Sequence, residues 1–531
     1  MRNLFLVLVG VSLAFSFAGC KGDPNKPEYW EKAISGAKNK KDKLRRVDDL
    51  RSLKTLDKSF VPMLHKRLAE EKAPDVKAKL AQILGELKDP SSVDPLTDAI
   101  DWTAAEGDSK GMNKEIAVAL GNIADPKAAP ALLKMLNLKD NYTVIAAIEG
   151  LGEMKAKEAT QPLIKFARDE NTEPFLSKKA IQALGDIRDP EATDALIDMM
   201  FKERRGVSFY VESSYSLYQI GETVGPKLLG VLEGTDKERF AWAEKNKILA
   251  PALTAKAAQV LGDLHEPKAE KGLLNALKFN SEMLDIKLFV RIRAADALGR
   301  LRSTAGAKAL ADMLDEGEGT AREEYVRALV RIGGRDAIPN LIKTGSKGPW
   351  DARQESMEGV AMLGDDRELP VFNKWLEDEE KLFTAECKED DEVKGCKDLP
   401  KAIQEHKDKI TKWRKILEAA KECKGEAPCW AKKLTDGHEG VRARAAYEVG
   451  RSKNPALVAD LMKVLTEENL ETRLAIIQGI DWLVHDSKEA AKTAQDQISG
   501  LDKQIADEKG KTQFQKVNED LRRLAVKIRR S

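Results

Sequence analysis

Aromatic residues are scarce in this 531-residue chain, at 5%, and there are only five histidines. Neither sign of charge is in excess: 89 lysines and arginines face 88 aspartates and glutamates. Without residues 1–19, which hold only Arg2, the counts become 88 and 88. A neutral chain has no global electrostatic reason to bind nucleic acid, so that class of partner is set aside. No Gly-x-Ser-x-Gly, Walker loop, His-Glu-x-x-His or clustered carboxylate pattern occurs, so no catalytic residue and no cofactor is assigned. Cys-x-x-Cys is missing as well. Tetrahedral metal ligation and dithiol chemistry both want that spacing, so no metal site is assigned. What is abundant is charge, at 33% of residues. With few aromatics, that composition suits a helical array with solvated ridges better than a membrane-embedded or disordered chain.

One phrase organises the sequence. Ala183-Leu184-Gly185-Asp186-Ile187-Arg188-Asp189-Pro190 ends one helix and starts another, and it returns around Gly85, Gly121 and Gly262. Looser copies surround Gly152, Gly221, Gly299, Gly333, Gly364 and Gly450. Up to Gly364 these anchors are 31 to 41 residues apart, the period of one helix pair per unit in a stacked solenoid. Ala180, Ile181, Leu184 and Ile187 fall at helical spacing and give one buried stripe. Asp189 is placed to cap the next helix, with Pro190 where a missing N–H costs nothing. Ala183 and Gly185 are small enough for neighbouring helices to approach closely. A single pair cannot bury its apolar face, so its neighbours must supply the core.

The segments Ala183–Met200 and Val441–Met462 resemble HEAT-like repeats, the short variety also found in phycobilin-lyase-type chains. The resemblance covers roughly residues 42–485 and implies an all-α, α-α superhelix. It leaves function open, because that family spans scaffolds, adaptors and a few enzymes. Ankyrin and tetratricopeptide signatures are absent.

Residues 1–19 read as a signal segment: Arg2, an apolar run Leu4–Phe17, then Ala18-Gly19-Cys20. The run is short of the ~20 residues of a membrane span. The ending resembles a bacterial lipobox, which implies lipidation of Cys20; an ordinary cleaved signal with an incidental cysteine is the other reading. Several acyl chains on one residue would anchor a protein firmly. By resemblance to the bacterial sorting rule, Lys21 in place of aspartate points to the outer membrane, on its periplasmic face or at the cell surface. Residues 20–41 read as a polar tether, within which Tyr29 and Trp30 can begin a first helix, and 42–376 as repeats. Asp101–Asn113 and Phe201–Val207 are expected as surface loops, and Gly234–Pro251 as an extra helical turn.

The 86 residues between Gly364 and Gly450 break the period and contain Cys387, Cys396, Cys423 and Cys429. Residues 377–435 are therefore expected as an inserted helical hairpin. On an exported chain four cysteines read as disulfides, with three possible connectivities; local closure, 387–396 and 423–429, is the expected one. Residues 436–485 read as repeats again. Residues 486–531 read as two helices forming a terminal cap, on stripes Ile498, Leu501, Ile505 and Phe514, Val517, Leu521, Leu524, Ile528. Arg522, Arg523, Lys527, Arg529 and Arg530 would form a solvated basic face.

Tyr210, Tyr215 and Tyr218 stand together on one predicted helix and are the candidate partner-binding residues, with a core role as the alternative. His265-Glu266 and His438-Glu439 matter because deoxyhypusine hydroxylase, an enzyme class on this repeat, binds iron through His-Glu pairs early in the second helix of its repeats. Here both pairs lie off that position, and there are two where that family has four. The expectation is a non-catalytic, lipid-anchored scaffold or assembly factor that binds another envelope protein along its concave face and, through Cys20, the membrane. The alternatives are a repeat-scaffold enzyme, metal- or chromophore-related, and a passive spacer.

Overall fold

The computed structural model describes residues 22–103, 109–315, 319–467, 469–508 and 515–530. Cys20 and the apolar run before it, together with Gly510 and Phe514, lie outside the described residues. The described residues form thirty α-helices, short 3-10 turns and one two-stranded hairpin, so the fold is an all-α helical solenoid. Two compact units divide the chain, one up to Ser216 and one from Leu217.

In the first unit the helices Pro74–Leu87, Ser109–Ile123, Asn141–Glu153 and Pro174–Ile187 stack side by side. A Cβ added to Gly121 would lie 2.7 Å from Cα of Gly150, and one on Gly152 would lie 3.2 Å from Cα of Ala183. Each anchor glycine thus meets a small residue two places before the next anchor, which is why the repeat reads small-Leu-Gly. Three residues beyond each glycine the helix ends in the left-handed region, on Lys88, Ala124, Lys155 and Arg188, with φ between 48° and 59°. Asp89, Asp125 and Asp189 then accept a hydrogen bond from the N–H two residues on. Each caps a 3-10 turn that opens on proline and leads into the outer helices Val93–Asp98, Ala129–Met135 and Thr193–Met200.

Three stretches of this unit refine the sequence expectation. The polar tether ends at Lys26, and a first helix, Pro27–Ser35, holds Tyr29 and Trp30 buried edge-to-face, 5.2 Å apart. Trp30 Nε1 donates to the Pro24 carbonyl at 2.7 Å, which fixes the entering chain. Asn113 belongs to the helix Ser109–Ile123, where its amide both accepts from the Asp101 N–H and donates to the Asp101 carbonyl. The turn at Phe201–Val207 contains an antiparallel hairpin, Arg204 opposite Val207. Buried Arg204 holds it down by donating to the Thr172 carbonyl and Ser177 Oγ.

In the second unit Ala250–Asp263, Leu284–Arg300, Gly319–Ile332 and Trp350–Leu363 repeat the stack, with a Cβ on Gly262 falling 2.7 Å from Cα of Ala297. The expected insertion is a lengthened repeat instead. The outer helix Leu369–Glu389 is extended, and the helix Leu399–Cys423 takes its place in the stack between Trp350–Leu363 and Glu439–Arg451. The periodicity was hidden because this unit has no glycine anchor; Ala419 and Ala420 are buried near the helix end. Fully buried Arg353 and Glu379 pair with each other, and His406 Nδ1 lies 2.8 Å from Glu379 Oε1. The His406 ring stacks on Trp350, with centroids 3.6 Å apart. The structure joins Cys387 to Cys396 at the hairpin tip and Cys423 to Cys429 at its base, with Cα–Cα distances of 5.4 and 5.3 Å.

The terminal cap also differs. After Leu470–Asp486 come three helices, Lys488–Asp496, Ile498–Glu508 and Gln515–Arg530. The last of these packs on Leu470–Asp486, the final helix of the stack, and its polar side also reaches residues 218–300.

Candidate functional site on the inner face of the second unit

The last helix, Gln515–Arg530, has two working faces. Val517, Leu521, Leu524 and Ile528, at 4-3-4 spacing, are buried against its neighbours. Asp520, Arg523, Lys527 and Arg530, at 3-4-3 spacing, reach the inner helices. Arg530 donates to the Tyr218 carbonyl at 2.9 Å and lies over its ring. Lys527 donates to Asp481 Oδ1 at 2.7 Å, and its Nζ lies 3.2 Å from His265 Nδ1. Arg523 is 3.4 Å from Asp263 Oδ2 and from Asp520 Oδ1. The basic face expected in solvent is therefore turned inward at Arg523, Lys527 and Arg530. Arg529 pairs with Asp502 at the surface.

The repeat ends supply the other half of these contacts. Gly221 ends the helix Tyr210–Ile220 at φ 95°, and a Cβ there would collide with the Arg530 guanidinium. His265 and Arg302 occupy the left-handed position three residues after Gly262 and Gly299, with φ of 54° and 53°. His265 Nε2 is 3.0 Å from Asp481 Oδ2, and Arg302 pairs with Asp486 at 2.8 Å. Trp482 Nε1 donates to the Arg300 carbonyl at 3.2 Å. Further along, Arg451 donates to the Val330 carbonyl and Arg444 to the Ala361 carbonyl, each at 2.7 Å.

Burial makes the electrostatics steep. Burial alone would raise Asp296, but Arg300 and Arg331 outweigh it and hold its pKa well below the carboxylate range. Asp481 is held low in the same way by Lys527 and His265. Asp263 is raised, because burial exceeds the attraction of Arg523 and Arg300. His265 is pushed down to about 4 by burial and by the Lys527 charge, so at neutral pH it is the uncharged member. Lys527 donates to Nδ1, which leaves the proton on Nε2 facing Asp481. Asp263, Asp296, Asp481 and Asp520 face Arg300, Arg331, Arg523 and Lys527: the cluster is balanced. The cavity beside it measures only about 50 Å³. That is room for a water or two, not for a substrate.

A larger cavity, about 470 Å³, opens beside it between five helices of the same unit. Glu355, Glu358, Arg327, Trp413 and Tyr447 are among its walls. Burial raises Glu355 to about 7.

The sequence candidates scatter over this geometry. Tyr210 and Tyr215 are half-buried, while Tyr218 is 2% exposed beneath Arg530, its hydroxyl pKa raised by burial. The three do not form one surface patch. His265 and His438 are not brought together: His265 sits in the buried cluster, and His438 caps the helix Glu439–Arg451, its Nδ1 accepting from the Val441 N–H. Among the described residues, no group of three His, Cys, Asp or Glu is placed to hold a metal ion. None of the described helices is long and apolar enough to cross a membrane.

A periodic feature of the first unit escaped the sequence reading. The second residue of three successive stacked helices is a large exposed hydrophobe: Tyr142 at 73%, Phe175 at 58% and Val211 at 50%. The signal was the offset from each anchor, since these residues stand 10, 10 and 10 places before Gly152, Gly185 and Gly221. In the second unit Leu249, Met283 and Leu284 are exposed at the starts of two stacked helices.

The family model described as HEAT repeats matches residues 61–148 and 135–207. Among curated proteins none matches. Among solved structures, human deoxyhypusine hydroxylase in complex with glycerol is similar at 19% identity over 51% of this chain and 95% of that one, with a TM-score of 0.22. The complex of CpcE and CpcF of phycocyanin lyase from Nostoc sp. PCC7120 is similar at 20% identity over 51% and 94%, with a TM-score of 0.26. The karyopherin Kap121p bound to the SUMO protease Ulp1p is similar at 14% identity over 91% and 67%, with a TM-score of 0.43. Likenesses at this level leave function open. Residues 61–148 and 135–207 are HEAT repeats, set in an all-helical chain.

Proposed function

We propose that this chain is a non-catalytic scaffold of the bacterial cell envelope, held at a membrane by lipid on Cys20 and binding another envelope protein through its first unit. The observation that carries the binding surface is the row Tyr142, Phe175 and Val211. A single exposed hydrophobe is ordinary, but a row repeated at the solenoid period marks an interaction surface. Tyr and Phe give large contact area at low entropic cost, which makes them favoured anchors. The charges around the row are already paired with one another: Lys179 with Glu149 at 2.6 Å, Lys178 with Glu212 at 3.0 Å and Arg205 with Glu173 at 3.0 Å. A partner covering the row meets neutralised flanks, not free charge. Tyr210, adjacent to Val211, stays within this surface, and half-buried Tyr215 stands on the same helix.

The test is affinity capture after crosslinking in intact cells, comparing the native chain with the double variant Tyr142→Ser, Phe175→Ser. Both side chains are exposed, so the variant should fold normally. One envelope protein recovered in stoichiometric amount with the native chain and lost with the variant supports the reading. Equal recovery with both places binding elsewhere. Anchoring is tested separately: Cys20→Ser should release the protein from membranes, and a variant that stays bound contradicts the lipid anchor.

A further inference from the structure

The cavity of about 470 Å³ lies where Gly319–Ile332, Trp350–Leu363, Leu399–Cys423, Glu439–Arg451 and Leu470–Asp486 converge. Its size is that of a small-ligand pocket. Val326, Met362, Ile416 and Trp413 give it an apolar wall. Its charges do not balance. Five carboxylates line it, Glu323, Glu355, Glu358, Glu439 and Glu471, against the three cations Arg327, Lys409 and Lys412. Arg327 is already engaged, 2.6 Å from Glu323, 2.9 Å from Glu324 and 3.6 Å from Glu471. Lys409 donates to Gln354.

Glu355 is attracted by Arg322, but burial outweighs that pull. Its Oε2 is fully buried and makes no hydrogen bond among the described residues. A buried carboxylate oxygen without a donor costs stability of its own, so the position calls for one. Glu358, one turn along the same helix face, is raised by desolvation and by the charges of Glu471 and Glu323 against those of Arg327 and Lys409, although part of its side chain is exposed. Contrast the neighbouring cluster around Asp296 and Asp481, where every carboxylate faces a cation and almost no volume remains. The two regions share Arg327, Tyr447 and Glu471 but differ in what they leave open.

We propose that this cavity binds an organic cation, a primary ammonium or guanidinium on an aliphatic stem, with Glu355 and Glu358 as its anionic partners and Trp413, Met362 and Ile416 against the stem. The charged end relieves the repulsion among the carboxylates that line the cavity. The stem buries apolar wall that a bare ion would leave wet. A metal ion would use the carboxylates and waste the wall. The site stands on the second unit alone and does not depend on the row in the first.

The test is calorimetric titration of the full chain, at neutral pH, with cadaverine, with Nα-acetyl-lysine amide and with magnesium chloride. The double variant Glu355→Gln, Glu358→Gln serves as the comparison. The expected result is saturable binding of cadaverine that weakens about tenfold or more in the double variant, as loss of charge-assisted contacts implies. The variant should melt no lower than the native chain, since it removes unpaired charge. Binding of cadaverine alone assigns the site to a free amine; binding of the lysine amide as well assigns it to a side chain presented by a partner. No saturable binding of either amine overturns the proposal, as does equal affinity in the variant. Magnesium binding at least as tight as cadaverine overturns the organic cation.

Discussion

Gly121 and Gly111 lie in the same helix, Ser109–Ile123, and should respond to alanine in opposite directions. A Cβ at 121 meets the Gly150 backbone at 2.7 Å, whereas one at 111 meets nothing within 4 Å. Gly121→Ala should therefore cost roughly 1–3 kcal/mol by forcing the stacked helices apart. Gly111→Ala should stabilise by up to about 1 kcal/mol, because glycine loses more backbone freedom on folding. Urea unfolding of the two variants checks both signs. His265 carries the pH dependence. Its pKa is about 4 in the fold against an ordinary 6.5, so the unfolded chain takes up a proton first as pH falls. The stability it contributes is complete above pH 6.5 and lost as pH falls from there to about 4, on the order of 3 kcal/mol. Thermal unfolding across that range should show a steep fall that flattens in His265→Gln; parallel curves would remove His265 from the account.

The element most dependent on its interior is the lengthened repeat. Arg353→Ala would strand Glu379 and His406 in a buried site, and breaking a buried pair from one side costs about 3–5 kcal/mol. The loss should appear as early melting of the second unit. Each short disulfide loop adds about 2–3 kcal/mol by restricting the unfolded chain. Intact mass after alkylation should show four reactive thiols only once reductant is present; four without it would reject both bridges. At this scale much was legible in the sequence. Small-Leu-Gly, the Asp-Pro cap and the 3.6-residue stripes gave the stacked helices and their turns, because those features act within a few residues. Two things were hidden. The repeat without a glycine anchor looked like an insertion, since its stacked helix buries Ala419 and Ala420 near its end and carries no Leu-Gly signature. The last helix looked like a cap because an apolar stripe says that a helix is buried but not against what. Its second stripe, Asp520, Arg523, Lys527 and Arg530, read as a solvated face; only the distant Asp263 and Asp481 turn it inward.

At the scale of the whole molecule the two units expose different features. The first carries HEAT repeats and exposes a periodic apolar row. The second spends its inner face on its own chain, leaving one charged cavity open beside a closed ionic cluster. Gln515–Arg530 covers Tyr218, Asp263 and Asp481 there with the chain's own residues. That self-closure is the central structural claim, and hydrogen exchange tests it most directly. Leu521→Asp with Leu524→Asp, introduced in the full chain, places charge on two fully buried positions and should undock the last helix. Amide exchange should then accelerate in Gln515–Arg530, and also in Ala250–Asp263 and Leu470–Asp486, while Pro74–Ile187 keeps its native protection. Acceleration confined to the last helix would mean that the inner face closes without it, and would contradict the account.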